Sequence, residues 1–203
     1  MFFWQEYGYR IYSYLSGGGV VMIPLLAVSL MMWALIINRA VFLRRLYMRN
    51  IPRHEAGRLI RENRAPGPQY QGVNAALVRS FLNRRSGDPE LDGHILDEAV
   101  LAVVVSLDRH QSAINILAGV APLLGLLGTV IGMIVTFDVI TRFGTGNVRA
   151  LAGGISEALI TTQTGLLVSI PGLYMSGFLS QRAATLKQRV ASAGIYLKRF
   201  LPA

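Results

Sequence analysis

The sequence contains no cysteine, and it lacks the residue patterns of the common hydrolases and metalloenzymes. Without cysteine there is neither a disulfide framework nor thiol chemistry. There is no HExxH, no GxSxG and no paired aspartate within an apolar segment, and the three histidines are scattered through the charged part of the chain. These absences argue against an enzyme, including an intramembrane enzyme, and against a metal site.

Charge is also scarce, and it is missing entirely from three long stretches. Only 15% of the 203 residues are charged, whereas 52% are hydrophobic. No charged residue occurs in residues 11–38, 111–137 or 158–181. A helix needs about 20 apolar residues to cross a hydrocarbon core of about 30 Å, so each stretch is long enough to span a membrane. The sequence predicts an all-α membrane protein with three transmembrane helices, in which spans two and three extend into the cytoplasm as a helical bundle.

Aromatic, charged and helix-breaking residues divide the chain into seven segments. Aromatic residues concentrate near the N-terminus, where we expect an amphipathic arm on the outer membrane surface. The connection between spans two and three is short, which predicts an antiparallel helical hairpin. In order, the segments are the arm (1–19), span one (20–38), a cytoplasmic helical loop and stalk (39–112), span two (113–140), an outer loop (141–153), span three (154–180) and a cytoplasmic C-terminal helix (181–203).

The cytoplasmic loop is predicted to be helical. Clusters of proline and glycine separate two short helices, at residues 53–63 and 73–85, from the segment that follows. From Leu91 no strong helix breaker occurs before Pro122. The stalk is therefore expected to be one helix that continues into span two.

The basic residues indicate the orientation in the membrane. Residues 39–112 and 180–203 hold 17 of the 20 lysines and arginines. Because cytoplasmic segments carry an excess of these residues, the N-terminus is predicted outside and the C-terminus in the cytoplasm. The net charge of +9 does not indicate nucleic-acid binding, since the basic residues flank the spans and suit anchoring at an anionic inner leaflet.

Spans two and three differ from span one because they contain many small and polar residues. Gly125, Gly128 and Gly132 have the spacing that lets helices pack closely in lipid. Pro122 and Pro171 also fall within these spans, and we assign all five residues to helix packing. Six polar side chains would be costly against lipid, so we expect them to line a polar interior or a subunit interface, as an ion pathway: Thr129, Thr136, Glu157, Thr161, Thr162 and Thr164.

Two of these positions can be analysed further by counting along the helices. Twenty residues separate Arg109 from Thr129 and Arg182 from Thr162, which predicts that the two threonines lie at one height, about 30 Å above the arginines. Glu157 has two interpretations. It is either a first-turn residue that interacts favourably with a helix N-terminus or a member of the ion pathway.

The same residues resemble the ExbB/TolQ/MotA proton-channel family. GVAPLLGLLGTVIGMIVTF, followed by GGISEALITTQTGLLVSIPGLY, is similar to the family pattern of APxxGLxGTVxGM, then ISEAL, a threonine-rich stretch and Ile-Pro. The similarity covers about residues 117–179. Three spans with a cytoplasmic loop after the first resemble the ExbB/TolQ branch, because the MotA branch typically has four spans.

The resemblance implies a stator subunit of a motor in the bacterial inner membrane. It implies a homo-oligomer, a pentamer, around a single-span partner of the ExbD/TolR type. Proton flow would drive motion that passes to a TonB- or TolA-type protein, for outer-membrane transport or envelope maintenance. Thr129 matches the hydroxyl of the GTVxG motif, Glu157 the family's glutamate in span three and Thr162 its pore threonine. The resemblance also implies that the proton-binding aspartate lies on the partner. No cofactor is expected, and the proton is the coupling ion.

Two alternatives remain open at this point. A passive membrane scaffold that only stabilises a single-span partner predicts that hydroxyl substitutions are tolerated while glycine substitutions abolish assembly. A sodium-driven version of the same motor is compatible with the same residues. Thr161 and Thr164 flank Thr162, so the sequence also leaves open which threonine dominates the pathway.

Overall fold

The structure is a computed structural model that describes residues 13–48 and 50–201. Residues 1–12, which contain most of the predicted aromatic arm, lie outside the described residues. Within the described part of the chain the secondary structure is helical, with no strand. A short helical stretch at residues 13–17 precedes the longer elements. These are α1 (Met22–Met48), α2 (Arg53–Arg61), α3 (Val73–Leu82), α4 (Pro89–Ser106), α5 (Gln111–Phe143), a 3₁₀ turn (Gly144–Gly146) and α6 (Val148–Lys198).

Three helical segments are long and apolar enough to cross a membrane. They are Met22–Met48, Pro89–Gly146 and Val148–Lys198. The second and third segments contain the charge-free stretches 111–137 and 158–181, and the first contains the later part of the stretch 11–38. Helix α6 continues well beyond Gln181, where its charge-free stretch ends. The predicted all-α fold with three transmembrane helices is confirmed. The two short helices predicted between spans one and two also agree with α2 and α3 to within three residues at each end.

The stalk is interrupted, so the prediction of one helix from Leu91 into span two is wrong. Residues 107–110 form a turn between α4 and α5, and His110 has a left-handed φ of +66°. The backbone N–H groups of Asp108, Arg109 and Gln111 donate to carbonyls three residues earlier, as in a 3₁₀ turn. Neither proline nor glycine occurs at residues 107–110, so no local pattern in the sequence indicates the break.

The connection between α5 and α6 is shorter than the predicted outer loop of residues 141–153. Helix α5 continues to Phe143, and α6 begins at Val148. Gly144 has a φ of +65°, a conformation that glycine adopts without strain. The side-chain oxygen of Asn147 accepts a hydrogen bond from the Ala150 N–H at 3.2 Å and so caps the start of α6.

The structure divides into two compact units, and the first comprises the chain up to Ile36 together with Ala113–Ser176. Its helices α5 and α6 meet along small residues. One face of α1 is buried in this unit, through Met22, Leu25, Met32 and Ile36. Most other large apolar residues of the unit are exposed, as expected for surfaces that face lipid or other subunits.

The second unit comprises Ile37–Ser112 and Gly177–Ala203 and has a conventional hydrophobic core. Eleven buried residues form this core: Ile51, Ala56, Ile60, Ala75, Leu77, Val78, Phe81, Leu96, Ala99, Ala193 and Leu197. Asn74 fixes the chain before α3, because its side-chain amide donates to the Ile51 carbonyl at 2.8 Å. Arg79 holds the loop between α2 and α3 by donating to the Gly67 and Tyr70 carbonyls at 2.8 and 2.9 Å.

Asp92 organises the start of α4 in this unit. Its side chain is fully buried and accepts hydrogen bonds from the Ser86 N–H at 2.8 Å, the Gly87 N–H at 3.3 Å and Arg85 Nε at 3.2 Å. Burial by itself would raise the pKa of Asp92, but the hydrogen bonds from Ser86, Gly87 and Arg85 outweigh it, so the pKa lies below its ordinary value. The carboxylate therefore stays ionised while buried, and it joins the loop to the helix.

Candidate functional site

Glycines bring α5 and α6 into direct backbone contact. A Cβ on Gly125 would lie 3.1 Å from the Thr161 carbonyl oxygen, and one on Gly132 would lie 2.7 Å from the Gly154 carbonyl oxygen. A Cβ on Gly128 would collide with the Thr161 side chain. The seam between these helices consequently has no room for larger residues.

Helix α6 contributes its own small residues to the same seam. A Cβ on Gly165 would lie 2.7 Å from the Ala121 carbonyl oxygen, and one on Gly154 would collide with the Thr136 hydroxyl. Gly154 and Gly165 were not identified from the sequence, although small residues at positions 154, 158, 161 and 165 have the spacing of one helix face. Pro122 is partly buried inside α5, whereas Pro171 lies inside α6 and is exposed.

Three of the predicted pathway threonines lie in the packed interior of the protomer. Thr136, Thr161 and Thr164 are buried, and each donates its hydroxyl hydrogen to a carbonyl of its own helix. The Thr164 hydroxyl also forms a 3.0 Å hydrogen bond with the Tyr14 hydroxyl. These hydroxyls are satisfied locally, which is the usual arrangement for threonine in a helix.

Thr162 behaves differently, because its hydroxyl crosses to the neighbouring helix. It donates to the Gly125 carbonyl on α5 at 3.1 Å, and the residue is only partly buried. Ser169 donates in the same way to the Ala118 carbonyl at 2.8 Å, and Ser176 bonds to the Asn115 side chain. These three residues of α6 are seven apart and therefore share one helix face. They form a polar ladder that joins α5 to α6.

The predicted alignment of Thr129 with Thr162 is wrong by about one helical turn. Thr162 is level with Gly125, which lies four residues before Thr129. The prediction counted from Arg109 as if it lay in a helix, whereas Arg109 belongs to the turn at residues 107–110. Thr129 is partly buried and donates to the Leu126 carbonyl at 2.6 Å.

Glu157 lies in the third turn of α6, because that helix begins at Val148 rather than near Gly154. The interpretation as a first-turn residue is therefore wrong, since the influence of a helix N-terminus is confined to its first turn. The side chain is partly buried against Gly19, where a Cβ would collide with Oε1 of Glu157. Gly19 has a φ of +61°, a conformation that favours glycine, and it lies in the turn that precedes α1. Glu157 therefore packs against a position of this turn that has no side chain.

The structure thus separates the predicted site residues into groups. Thr136, Thr161 and Thr164 pack inside the hairpin, whereas Thr129, Thr162 and Glu157 retain partly exposed side chains. Glu157 and Thr162 contact different neighbours, Gly19 and Gly125. Sequence reasoning missed Ser176, which the seven-residue spacing from Thr162 and Ser169 would have revealed, and it missed Asn115, the partner of Ser176 on α5.

These features define a class of protein. The chain is an all-helical membrane protein with three spans, and its second and third spans form a close-packed hairpin with a polar ladder. Hydroxyl groups that donate across to a neighbouring helix join helices in a membrane and satisfy polar groups that would be costly against lipid.

Comparison with known proteins identifies the family. Residues 69–192 match the MotA/TolQ/ExbB proton channel family, and the chain belongs to it. It is 32% identical over 197 residues to the biopolymer transport protein ExbB-like 3 of Synechocystis sp., covering 90% of this chain and 93% of that protein. It is 27% identical over 181 residues to the biopolymer transport protein ExbB of Salmonella typhimurium, covering 82% and 74% of the two chains.

A third relative is similar over a comparable length. The biopolymer transport protein ExbB of Neisseria meningitidis serogroup A is 26% identical over 185 residues, which cover 83% of this chain and 84% of the relative. Family membership and the three spans together make the chain a membrane-embedded, stator-like transport subunit. The resemblance found in the sequence is confirmed.

Proposed function

We propose that the chain is the channel-forming stator subunit of an inner-membrane motor that converts proton motive force into mechanical work. In this proposal a ring of identical subunits, a pentamer, encloses a single-span partner of the ExbD/TolR type. The motion passes to a TonB- or TolA-type protein and serves outer-membrane transport or envelope maintenance. Membership of a proton channel family supports the proposal, and the geometry of Thr162 is the observation on which it depends.

The Thr162 hydroxyl is suited to receive a proton-bearing group. Its hydrogen is already donated to the Gly125 carbonyl at 3.1 Å, so its oxygen offers only lone pairs to any other group. An acceptor of this kind attracts a protonated carboxylic acid or a hydrated proton and repels a bare anion. The same reasoning applies to Thr129, whose hydrogen is donated to the Leu126 carbonyl.

The membrane supplies the energy and selects the protonated state. An ionised carboxylate at the centre of a bilayer costs about 2.5–3.5 kcal/mol on insertion scales. The partner's aspartate would therefore move past the hairpin in its neutral, protonated form. A unit charge that crosses the membrane gains about 2.3 kcal/mol per 100 mV. A proton taken up outside and released inside delivers that energy to the motor.

The direction of proton flow follows from the proposed topology. We place the N-terminus in the periplasm and the C-terminus in the cytoplasm, because 17 of the 20 lysines and arginines lie in residues 39–112 and 180–203. Glu157 then belongs to the periplasmic half of α6, where a partly buried carboxylate would attract protons toward the hairpin. Thr162 lies five residues closer to the cytoplasm and would receive them next.

Substitution of Thr162 tests this proposal. Val has the shape of Thr without the hydroxyl, whereas Ser keeps the hydroxyl. In complexes purified with their natural partner and reconstituted into liposomes, we expect Thr162→Val to reduce proton flux about tenfold, the equivalent of about one hydrogen bond in the barrier. Thr162→Ser should retain most of the flux. Thr141→Val is the matched control, because Thr141 is an exposed threonine of α5 bonded to its own helix.

The passive-scaffold alternative predicts a different pattern. It is favoured by the local satisfaction of Thr136, Thr161 and Thr164, whose hydroxyls are used within the protomer. If Thr162→Val and Thr141→Val leave flux equal at equal expression and equal thermal stability, the hydroxyl ladder is a packing device. The motor proposal would then be wrong.

A further inference from the structure

Arg39 presents an unusual electrostatic situation in the second unit. The residue has an exposed fraction of only 4%, and within the described part of the chain its hydrogen bonding is limited to a 3.4 Å contact from Nη1 to the Ser106 carbonyl. Its Nε and Nη2 atoms are buried and have no hydrogen-bond acceptor among the described residues. Burying a guanidinium without satisfying its donors is costly, so an acceptor from another molecule would stabilise this arrangement.

The acid that interacts electrostatically with Arg39 is Asp108, and it is already paired with another residue. The Asp108 carboxylate forms a 2.6 Å ion pair with Lys187 and is largely exposed. The Phe42 ring lies 5.7 Å from Cζ of Arg39 and accepts no conventional hydrogen bond. Asp108 therefore acts on Arg39 only as a nearby charge, and among the described residues Arg39 has no direct ion pair.

A cavity of about 360 Å³ adjoins this arginine. It is lined by Asn38, Arg39, Phe42, Ser106, Arg109 and His110. Four of these side chains bear N–H groups, two of them guanidinium groups, and none of the described residues that line the cavity carries a carboxylate. Arg109 and His110 belong to the break between α4 and α5, where His110 has a left-handed φ. A lining of this composition is suited to an anion with several oxygens.

The position of the cavity along the chain identifies the kind of anion. Asn38 ends one charge-free stretch, residues 11–38, and Gln111 begins another, residues 111–137. The cavity residues therefore lie where two apolar segments meet the charged part of the chain, at the depth of lipid headgroups. Phosphate is the anion of that layer, and arginine binds phosphate through paired N–H groups. The volume is ample, since a water molecule accounts for about 30 Å³ in the liquid.

We propose that the cavity at Asn38, Arg39, Arg109 and His110 binds the phosphate of an anionic phospholipid headgroup in the inner leaflet. The phosphate oxygens accept hydrogen bonds from Arg39 and Arg109, and the acyl chains extend along the apolar surface of α1. The lipid thereby fixes the turn at residues 107–110, where α4 meets α5. The proposal does not depend on proton conduction.

Thermal unfolding of the purified, delipidated full-length protein in a nonionic detergent tests this site. We expect added phosphatidylglycerol to raise the Tm with a saturable dependence on its mole fraction. Phosphatidylcholine, whose phosphate is offset by a choline cation, should have little effect. Sodium phosphate at equal concentration tests the free anion as the source and should leave the Tm unchanged.

Three variants distinguish this site from general attraction to a basic surface. Arg39→Gln and Arg109→Gln should each raise the phosphatidylglycerol concentration for half-maximal effect at least tenfold. Arg45→Gln, which removes an exposed arginine of α1 outside the cavity, should change it less than twofold. If Arg39→Gln fails to fold, the exposed Arg109 still decides the question.

Two results would overturn the proposal. An equal increase of the half-maximal phosphatidylglycerol concentration in Arg45→Gln and Arg109→Gln would mean that the lipid is attracted by the basic surface as a whole. An equal response to sodium phosphate, or to phosphatidylcholine, would mean that an anionic headgroup is not what the cavity recognises.

Discussion

At the scale of single residues, the threonine hydroxyl groups of the hairpin differ in which helix supplies the acceptor of their hydrogen bond. Thr136, Thr161 and Thr164 donate within their own helix, whereas Thr162 donates across to α5. The sequence identified all of them as candidates, because hydroxyls are costly in a bilayer. It did not rank them, since the partner of a hydroxyl depends on the rotamer and on how the helices align.

Asp92 provides a prediction outside the membrane. Its folded pKa is depressed, so it stabilises the folded state above its unfolded pKa of about 3.9, and that stabilisation is lost as the pH falls through the lower folded pKa. At pH 7 we expect Asp92→Asn to destabilise the protein by about 1.5–3 kcal/mol, because hydrogen bonds to a charged group are lost. The difference from the wild type should shrink below about pH 4, as the wild type loses the same charge.

Thermal unfolding across a pH series measures this effect. Asp97→Asn is the matched control, because Asp97 is an exposed acid of the same helix that pairs with Lys198 at 2.6 Å. Exposed ion pairs contribute at most about 1 kcal/mol, so this control should change the Tm little. A difference between wild type and Asp92→Asn that stays constant from pH 7 to pH 3 would rule out the proposed role of the ionised carboxylate.

At the scale of helices, the hairpin depends on the absence of side chains at its seam. Gly128→Ala would bring a methyl group against the buried Thr161 side chain, and overpacking of this kind costs about 1–3 kcal/mol. Gly119 lies in the same helix, and a Cβ there would meet nothing within 4 Å. We expect Gly128→Ala to lower the Tm of the purified protein and Gly119→Ala to leave it unchanged or raised. Equal Tm values for the two variants would contradict the claim that the contact between α5 and α6 depends on glycine at position 128.

The helices also show what the sequence can and cannot predict. The three spans, α2 and α3 were predictable, because absence of charge and clusters of proline and glycine act locally. The break at residues 107–110 was not, since it contains neither residue and His110 adopts an unusual φ. The early start of α6 at Val148 was also missed, and it removes the first-turn interpretation of Glu157.

At the scale of the whole molecule, orientation remains a prediction that the sequence makes easy to test. The chain has no cysteine, so a single introduced cysteine is the only thiol. Thr145→Cys lies in the 3₁₀ turn between α5 and α6, and Gln188→Cys lies on an exposed position of α6. In intact spheroplasts, a membrane-impermeant maleimide should label Thr145→Cys and not Gln188→Cys. Lysis should make both reactive, and the reverse pattern would invert the proposed topology.

The most direct test of the motor proposal is ion flux through the complex of this chain with its natural partner. The complex is reconstituted into liposomes, and a membrane potential is imposed while the proton and sodium gradients are varied separately. We predict a flux that follows the proton gradient, is indifferent to sodium, and falls about tenfold in Thr162→Val, the equivalent of one hydrogen bond. A flux that follows sodium instead, or no flux beyond that of empty liposomes, would contradict the account.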